Sequence, residues 1–301
     1  MRILLLGGGS SGEHNVSRKS AAAMEKGLSQ AGHQVDLVII KNEKEALQLW
    51  DSRDYDFMML GLHGKNSEDG YLQNLLESRG IPFSGASSVS SKNAFFKSKT
   101  KQMMRKSGIL TADWELFKHV PGEDLPITKL SIPYVIKPDN DGSTLGLSII
   151  KNEESLTNAK AISGEYEYLL YEKFIFGREL TVSVIGQHAL PIVEIFPGHE
   201  LYDYESKYTS GMSQYVCPAD LSDDITEDIQ KIALKVMKAV GVEVYGRVDF
   251  RLDEENNAYC LEVNTLPGMT ETSLFPKAAK AHGMSFSDLL DEIVTLSLEK
   301  S

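Results

Sequence analysis

Two short runs late in the chain, Tyr245-Gly246-Arg247-Val248-Asp249-Phe250-Arg251-Leu252 and Ala258-Tyr259-Cys260-Leu261-Glu262-Val263-Asn264, alternate between apolar and polar residues. A period of two marks strands with one buried face. A turn centred on Glu255-Asn256 makes the runs a hairpin, with Asp249 opposite Glu262 and Arg247 opposite Asn264. Opposed residues on antiparallel strands point to the same face. Arg247, Asp249, Glu262 and Asn264 then share one face, and Val248, Phe250, Leu261 and Val263 the other. A slip of one residue would mix the two sets, so the apolar pattern selects the register. The polar face offers two carboxylates and an amide carbonyl, hard oxygens of the kind magnesium prefers. The alternative is a solvated face with ion pairs. The next residues, Thr265-Leu266-Pro267-Gly268-Met269-Thr270, form a rigid turn rich in backbone donors, which a merely solvated hairpin does not need.

The first third alternates strand and helix signals: strands at Arg2–Leu6, Gln34–Ile40 (read as buried) and Phe57–Leu62, and a helix from Val16 to Gly32. That alternation implies a parallel sheet covered on both faces. Gly7-x-Gly9-x-x-Gly12 fits a dinucleotide-binding turn between strand and helix, but the second strand ends in Lys41-Asn42 where a ribose-binding acid is needed. The loop otherwise is a tight turn without ligand, or it presents Glu13 at a helix N-terminus, where backbone N–H groups stabilise a carboxylate.

Farther on, Lys92–Lys106 reads as one basic helical stretch with a solvated face. Strands at Tyr134–Lys137 and Leu147–Lys151 flank Gly142-Ser143-Thr144-Leu145-Gly146, then come a helix at Glu153–Ile162 and a strand at Glu167–Phe174. Glycines let backbone N–H groups approach phosphate oxygens, and Lys137 beside them supplies compact positive charge. An ordinary hairpin turn with a solvated lysine is the other reading. Strands at Glu179–Ile185 and Ala189–Phe196 precede a polar stretch, 197–220, whose length suggests a lid. Ser222 and Gly241 bracket a helix, and Ser285 caps a last one.

Length alone, 301 residues, suggests about two domains. A net charge of −12 argues against a nucleic-acid or anionic-membrane surface, though a local basic cluster can still hold a small anion. With 2 cysteines there is no disulfide framework, and the thiols suit a reducing cytosol. No apolar run approaches the roughly 18 residues of a membrane span, and Ile3–Leu6 is too short for a signal peptide. A cytoplasmic protein is expected.

Taken together, the motifs match a family. Glu13-His14-Asn15-Val16-Ser17, Leu62-His63-Gly64 with Glu68-Asp69-Gly70, Lys137-Pro138 with Gly142-Ser143, Tyr202–Tyr208, Gly246-Arg247-Val248-Asp249, Glu262–Thr270 and Ser273–Lys277 occur in order along nearly the whole chain. The chain resembles the D-alanine–D-alanine ligases of the ATP-grasp superfamily. The resemblance implies an ATP-grasp fold of mixed α/β and α+β character with three domains: an N-terminal α/β substrate-binding domain (1–87), a central domain (88–175), and a C-terminal domain with metal site and lid loop (176–301). It implies ATP-dependent joining of two D-alanines through an acyl phosphate, for peptidoglycan precursor synthesis; the alternative is an ATP-grasp carboxylate–amine ligase acting on other amino acids.

The resemblance also implies roles. Lys97 and Lys137 hold ATP phosphates, Glu172, Lys173 and Ile175 meet the adenine, and Glu179 the ribose. Asp249, Glu262 and Asn264 hold two magnesium (or manganese) ions. Glu13 takes the first amino acid's ammonium, with His63 nearby; Lys207, Ser273 and Leu274 take the second one's carboxylate. Arg247 and the Gly268 backbone stabilise the oxyanion. Glu13, Ser143 and Tyr208 close the lid through a hydrogen-bonded network, with Tyr208 pointing to an amine as second nucleophile. ATP and D-alanine are the expected partners, and a homodimer the expected assembly. The chain departs from the family pattern at an extra glycine before Glu13, at Ser67, at Phe96 and at Glu271.

Overall fold

A computed structural model of the protein describes residues 1–142, 145–197 and 213–300. Ser143, Lys207, Tyr208 and much of the expected lid lie outside the described residues. The chain begins with β1 (Arg2–Gly8), α1 (His14–Gln30), β2 (Gln34–Ile40), α2 (Glu45–Trp50) and β3 (Phe57–Leu60), which build a three-stranded parallel sheet in the order β2-β1-β3. Central β1 buries Ile3, Leu4, Leu5 and Leu6 completely. β2, expected as buried, is an edge strand in which only Ile40 is buried, because β1 covers it on one side alone.

Helix α1 turns Val16, Ser17, Ser20, Ala21, Met24 and Leu28 inward at helical spacing. It lies so close to the sheet that a Cβ on Gly7 would come within 2.6 Å of the Ala21 Cβ, and one on Gly61 within 3.0 Å. The glycines at these strand ends therefore answer a packing demand: they let the N-terminus of α1 reach the rim of the sheet.

After α3 (Tyr71–Glu77), the basic stretch is two helices, α4 (Ser88–Phe95) and α5 (Lys97–Lys106), rather than one. Phe96 between them is extended, and the Asp139 carboxylate accepts the Ser98 N–H at 2.7 Å, capping α5. Lys92, Lys99, Arg105 and Lys106 are exposed as expected, but Lys97 and Lys101, one helical turn apart, are buried.

The next sheet is antiparallel: β4 (Trp114–Lys118), β5 (Tyr134–Pro138), β6 (Ser148–Ile150), α6 (Glu153–Ser163) and β7 (Tyr168–Lys173), in the strand order β4-β7-β5-β6. Edge strand β4 was not legible from sequence, since none of its residues is fully buried. Then follow β8 (Arg178–Ile185), β9 (His188–Ala189), β10 (Val193–Pro197), β11 (Ser213–Val216), α7 (Asp223–Val240), β12 (Tyr245–Leu252) and β13 (Ala258–Asn264). The strand expected at 189–196 is thus two strands, and the stretch 197–220 contains β11, paired antiparallel with β10. Helix α7 ends at Gly241, whose φ of +87° suits the left-handed cap.

β12 runs between β8 and β13. Arg247 pairs with Asn264 and Asp249 with Glu262, as the alternation requires. The turn, however, is centred on Glu255, and a bulge beyond Asp249 restores the register. That extra residue moves Leu261 off the apolar face, where it was expected, and puts Cys260 there instead. The chain closes with α8 (Leu274–Ala281) and α9 (Phe286–Glu299). α9 packs against α1, where a Cβ on Gly27 would meet Leu290 at 2.6 Å. Leu266, Met269, Phe275, Leu289 and Leu290 all join the core of the first sheet, so the end of the chain is sealed onto its beginning.

Gly7→Val should destabilise the protein by about 1–3 kcal/mol, the usual cost of overpacking. A lowered urea midpoint is the expected outcome; an unchanged one would reject the close approach of α1 to β1.

Candidate active site

Two cavities face each other across the glycine loop that follows β5. The first, about 910 Å³, lies between the second and third sheets. All six residues expected to meet a nucleotide line it: Lys97, Lys137, Glu172, Lys173, Ile175 and Glu179. Asp249 and Glu262 close its far side, and Val135, Leu147, Ile175 and Leu261 give it apolar walls. Lys137 Nζ lies 2.8 Å from Glu172 Oε2, and Lys97 Nζ 3.6 Å from Glu262 Oε2. Lys97 also donates to the Asp141 carbonyl at 2.6 Å, which ties α5 to the glycine loop. Burial works against the Lys137 ammonium, but the carboxylates of Glu172 and Glu262 outweigh it and hold its pKa above the usual lysine value. The result is a slot with apolar walls and fixed positive charge at one end.

Asp249 is held by its neighbours on the sheet. Its carboxylate accepts from Arg247 Nε and Nη2, both at 2.9 Å, from Thr181 Oγ1 at 2.5 Å and from Asn264 Nδ2 at 3.0 Å. Thr181 is its register partner on β8. The polar face of the hairpin is therefore an organised cluster rather than a solvated surface.

The second cavity, about 1370 Å³, is bounded by Glu13, His63, Arg247, Asn264, Gly268, Ser273 and Leu274, among others. These residues come from the first loop, the end of β3, the hairpin and the turn after it. Gly142 lines both cavities. A narrow space of about 380 Å³ between them touches Lys97, Glu262, Asn264 and Glu68. His63 bridges elements across this region. Its Nδ1 lies 2.9 Å from the Leu266 carbonyl and its Nε2 2.8 Å from Ser20 Oγ. Burial pushes its pKa down and favours the neutral ring, so Nδ1–H donates to the carbonyl and Nε2 accepts from Ser20. His63 thereby clamps the turn carrying Gly268 onto α1. Ser273 fixes the other end of that turn, accepting the Thr270 N–H at 3.0 Å.

The departures from the family pattern also have partners. Ser67 Oγ donates to the buried Glu43 carboxylate at 3.2 Å, and Ser10 gives it both its N–H (3.0 Å) and its hydroxyl (2.8 Å). Glu43 thus anchors the enlarged loop ahead of Glu13. Asp36, which a dinucleotide would have needed at the strand end, pairs with Arg53 at 3.0 Å instead. Sequence reasoning missed Glu43, Thr181 and Lys101, and gave Glu68 no role although it stood in a quoted motif. For Lys101 a signal was available, its spacing of four from Lys97 on one helix. Glu68 accepts the Gly64 N–H at 2.7 Å, and burial, helped by the charge of Glu13, pushes its pKa up to about 8.

Comparison with known proteins places this geometry in context. Residues 103–295 match the family described as D-ala D-ala ligase C-terminus. The chain is 42% identical over 296 residues to a D-alanine–D-alanine ligase of Methylacidiphilum infernorum, covering 98% of this chain and 95% of that one. It is 39% identical to a D-alanine–D-alanine ligase of Aquifex aeolicus, covering 98% of this chain and all of that one. Two solved structures of D-alanine–D-alanine ligase from Bacillus anthracis superpose over 100% of this chain and 98% of theirs. One gives a TM-score of 0.88 at 35% identity, and the other, complexed with ATP, 0.86 at 32% identity.

The Glu68 carboxyl binds its proton more tightly folded than unfolded. Its stabilising contribution is therefore full below the ordinary value of 4.5 and is lost as the pH rises to about 8. Glu68→Gln should flatten the fall in thermal midpoint across that window; an identical pH slope in both proteins would contradict the half-buried, neutral carboxyl.

Proposed function

The chain belongs to the D-alanine–D-alanine ligase family, and from that premise we propose that it joins two D-alanines to D-alanyl-D-alanine at the expense of ATP. The observation that carries this reading is the pair of cavities meeting at Gly142, Lys97 and Glu262. One suits a nucleotide, with apolar walls and lysines; the other suits an amino acid, with a carboxylate at one end and an arginine and backbone donors at the other. Where they meet, a carboxylate can reach a terminal phosphate.

In this reading Glu13 holds the ammonium of the first D-alanine, whose carboxylate attacks the γ-phosphorus of ATP, forming an acyl phosphate and releasing ADP. The amine of the second D-alanine, its carboxylate held at Ser273, Leu274 and Lys207, attacks the acyl carbon, and phosphate leaves. Arg247 and the Gly268 N–H stabilise the oxyanion formed in that step. Such a reaction needs alignment and charge neutralisation more than a nucleophilic side chain. Lys97 and Lys137 hold the phosphates, Glu172, Lys173 and Ile175 the adenine, and Glu179 the ribose. Ser143 and Tyr208 close the site over Glu13 and keep water from the acyl phosphate.

Magnesium fits the donors present. Among the described residues no three His, Cys, Asp or Glu side chains gather as a protein-only metal site. Asp249, Glu262 and Asn264 would therefore hold magnesium together with phosphate oxygens and water, its habitual partners. When bound, the metal neutralises phosphate charge. The domain limits expected from sequence, a homodimeric assembly, a cytoplasmic location and a place in peptidoglycan precursor synthesis belong to the same reading; no helix among the described residues is long and apolar enough to cross a membrane.

A coupled phosphate-release assay with ATP and D-alanine, with the product mass measured, tests the proposal. D-alanine-dependent release and the dipeptide mass are expected. Release with other amino acids but not D-alanine would shift the reading to another carboxylate–amine ligase. Glu262→Gln should lose most of the rate while folding normally; near-normal turnover at saturating magnesium would remove Glu262 from the metal site.

A further inference from the structure

Lys101 is the one charged side chain among the largest fully buried residues of the described chain, and the mechanism above does not use it. It sits one turn after Lys97 on α5, with a side-chain exposure of 0%. Its ammonium donates to Thr111 Oγ1 at 2.7 Å and lies 3.2 Å from Glu172 Oε1. The Thr111 hydroxyl in turn donates to the Cys260 carbonyl on β13 at 2.8 Å. The ring of Trp114 lies 5.5 Å from the ammonium. Lys101 is thus held by the segment leading to β4 and by Glu172 on β7, and is linked through Thr111 to the hairpin strand that carries Glu262.

Burying an ammonium is costly unless its partner needs it there. Here the partner is Glu172, itself buried and lining the nucleotide cavity. Its other oxygen, Oε2, is 2.8 Å from Lys137 Nζ but receives no well-directed hydrogen bond. One carboxylate therefore stands between two lysines, Oε1 beside Lys101 and the buried Oε2 beside Lys137, in the wall of the cavity. Burial raises the cost of its charge, but Lys101 and Lys137 outweigh it and keep Glu172 an acceptor. An acceptor at that place suits the amino group of adenine and rejects a base with a carbonyl oxygen in its stead.

We infer that Lys101 is a positioning residue for nucleotide selection, acting through Glu172: by holding one carboxylate oxygen while Lys137 pairs with the other, it fixes the Glu172 carboxylate in the wall of the nucleotide cavity. This rests on the ATP reading above, and the experiment separates the two.

Lys101→Met keeps the volume and leaves Glu172 one partner, Lys137. Calorimetric titration with the non-hydrolysable analogue AMP-PNP and magnesium should show at least about tenfold weaker binding, as expected when a buried charge loses a partner. KM for ATP should rise while KM for D-alanine stays within about twofold, and the preference for ATP over ITP should fall, because the acceptor is no longer held. With Glu172→Gln the effect should be strongly non-additive, since both variants break one linkage. Unchanged AMP-PNP affinity and ATP/ITP preference in Lys101→Met would overturn the inference, as would a loss shared equally by ATP and D-alanine, the pattern of general destabilisation. If Lys101→Met does not fold, Thr111→Val, which removes one anchor of the ammonium, replaces it under the same criteria. No AMP-PNP binding by the wild-type protein would instead overturn the ATP reading itself.

Discussion

The pairing of β12 with β13 is the constraint on which the rest of the site depends. It places Arg247, Asp249, Glu262 and Asn264 side by side, and it does so only in one register. The opposite face, with Val248, Phe250, Cys260 and Val263 buried, holds that register in place. β8 supports it from the other side, where Thr181 donates to Asp249. The bulge adds a second consequence. By turning Leu261 toward the cavity between the second and third sheets, it makes the same strand supply an apolar wall and the acidic group beside it.

From this hairpin the chain runs directly into the turn bearing Gly268, and the turn binds the two ends of the molecule together. Leu266 and Met269 enter the core of the first sheet, while His63 and Ser20 grip the turn's backbone. The helix carrying Glu13 at its start is therefore held at a set distance from Arg247. An acidic loop, a neutral histidine and a glycine turn, far apart in sequence, become one wall of a cavity because apolar burial draws β1, α1, α8 and α9 into a single core.

The electrostatics follow a common rule. A protein with a net charge of −12 must hold a polyanion, so its positive charge has to be local and desolvated. Lys97 is paired with Glu262, Lys137 and Lys101 with Glu172, and Arg247 with Asp249. Paired in this way the cations can be buried without being left alone, and Lys97, Lys137 and Arg247 each line one of the two cavities.

Much of this was legible in the residues. Alternation with a period of two determined the polar face of the hairpin, composition marked α1 as a helix, and Ser222, Gly241 and Ser285 marked helix ends, because each depends on local geometry alone. The residues expected to meet a nucleotide or an amino acid were named by resemblance, and those within the described chain line two neighbouring cavities. What sequence could not settle was decided by neighbours distant in the chain. β2 is an edge strand because only one strand covers it, and β4 is a strand because β7 pairs with it. The bulge that moves Leu261 to the site face arises where β12 is already held by β8. Whether a lysine on a basic helix meets water or a buried carboxylate depends on what packs above it. Lys99 and Lys101 share one helix and one chemistry, and only the tertiary structure, by laying β7 and β13 over one face of α5, leaves the first in solvent and seals the second against Glu172.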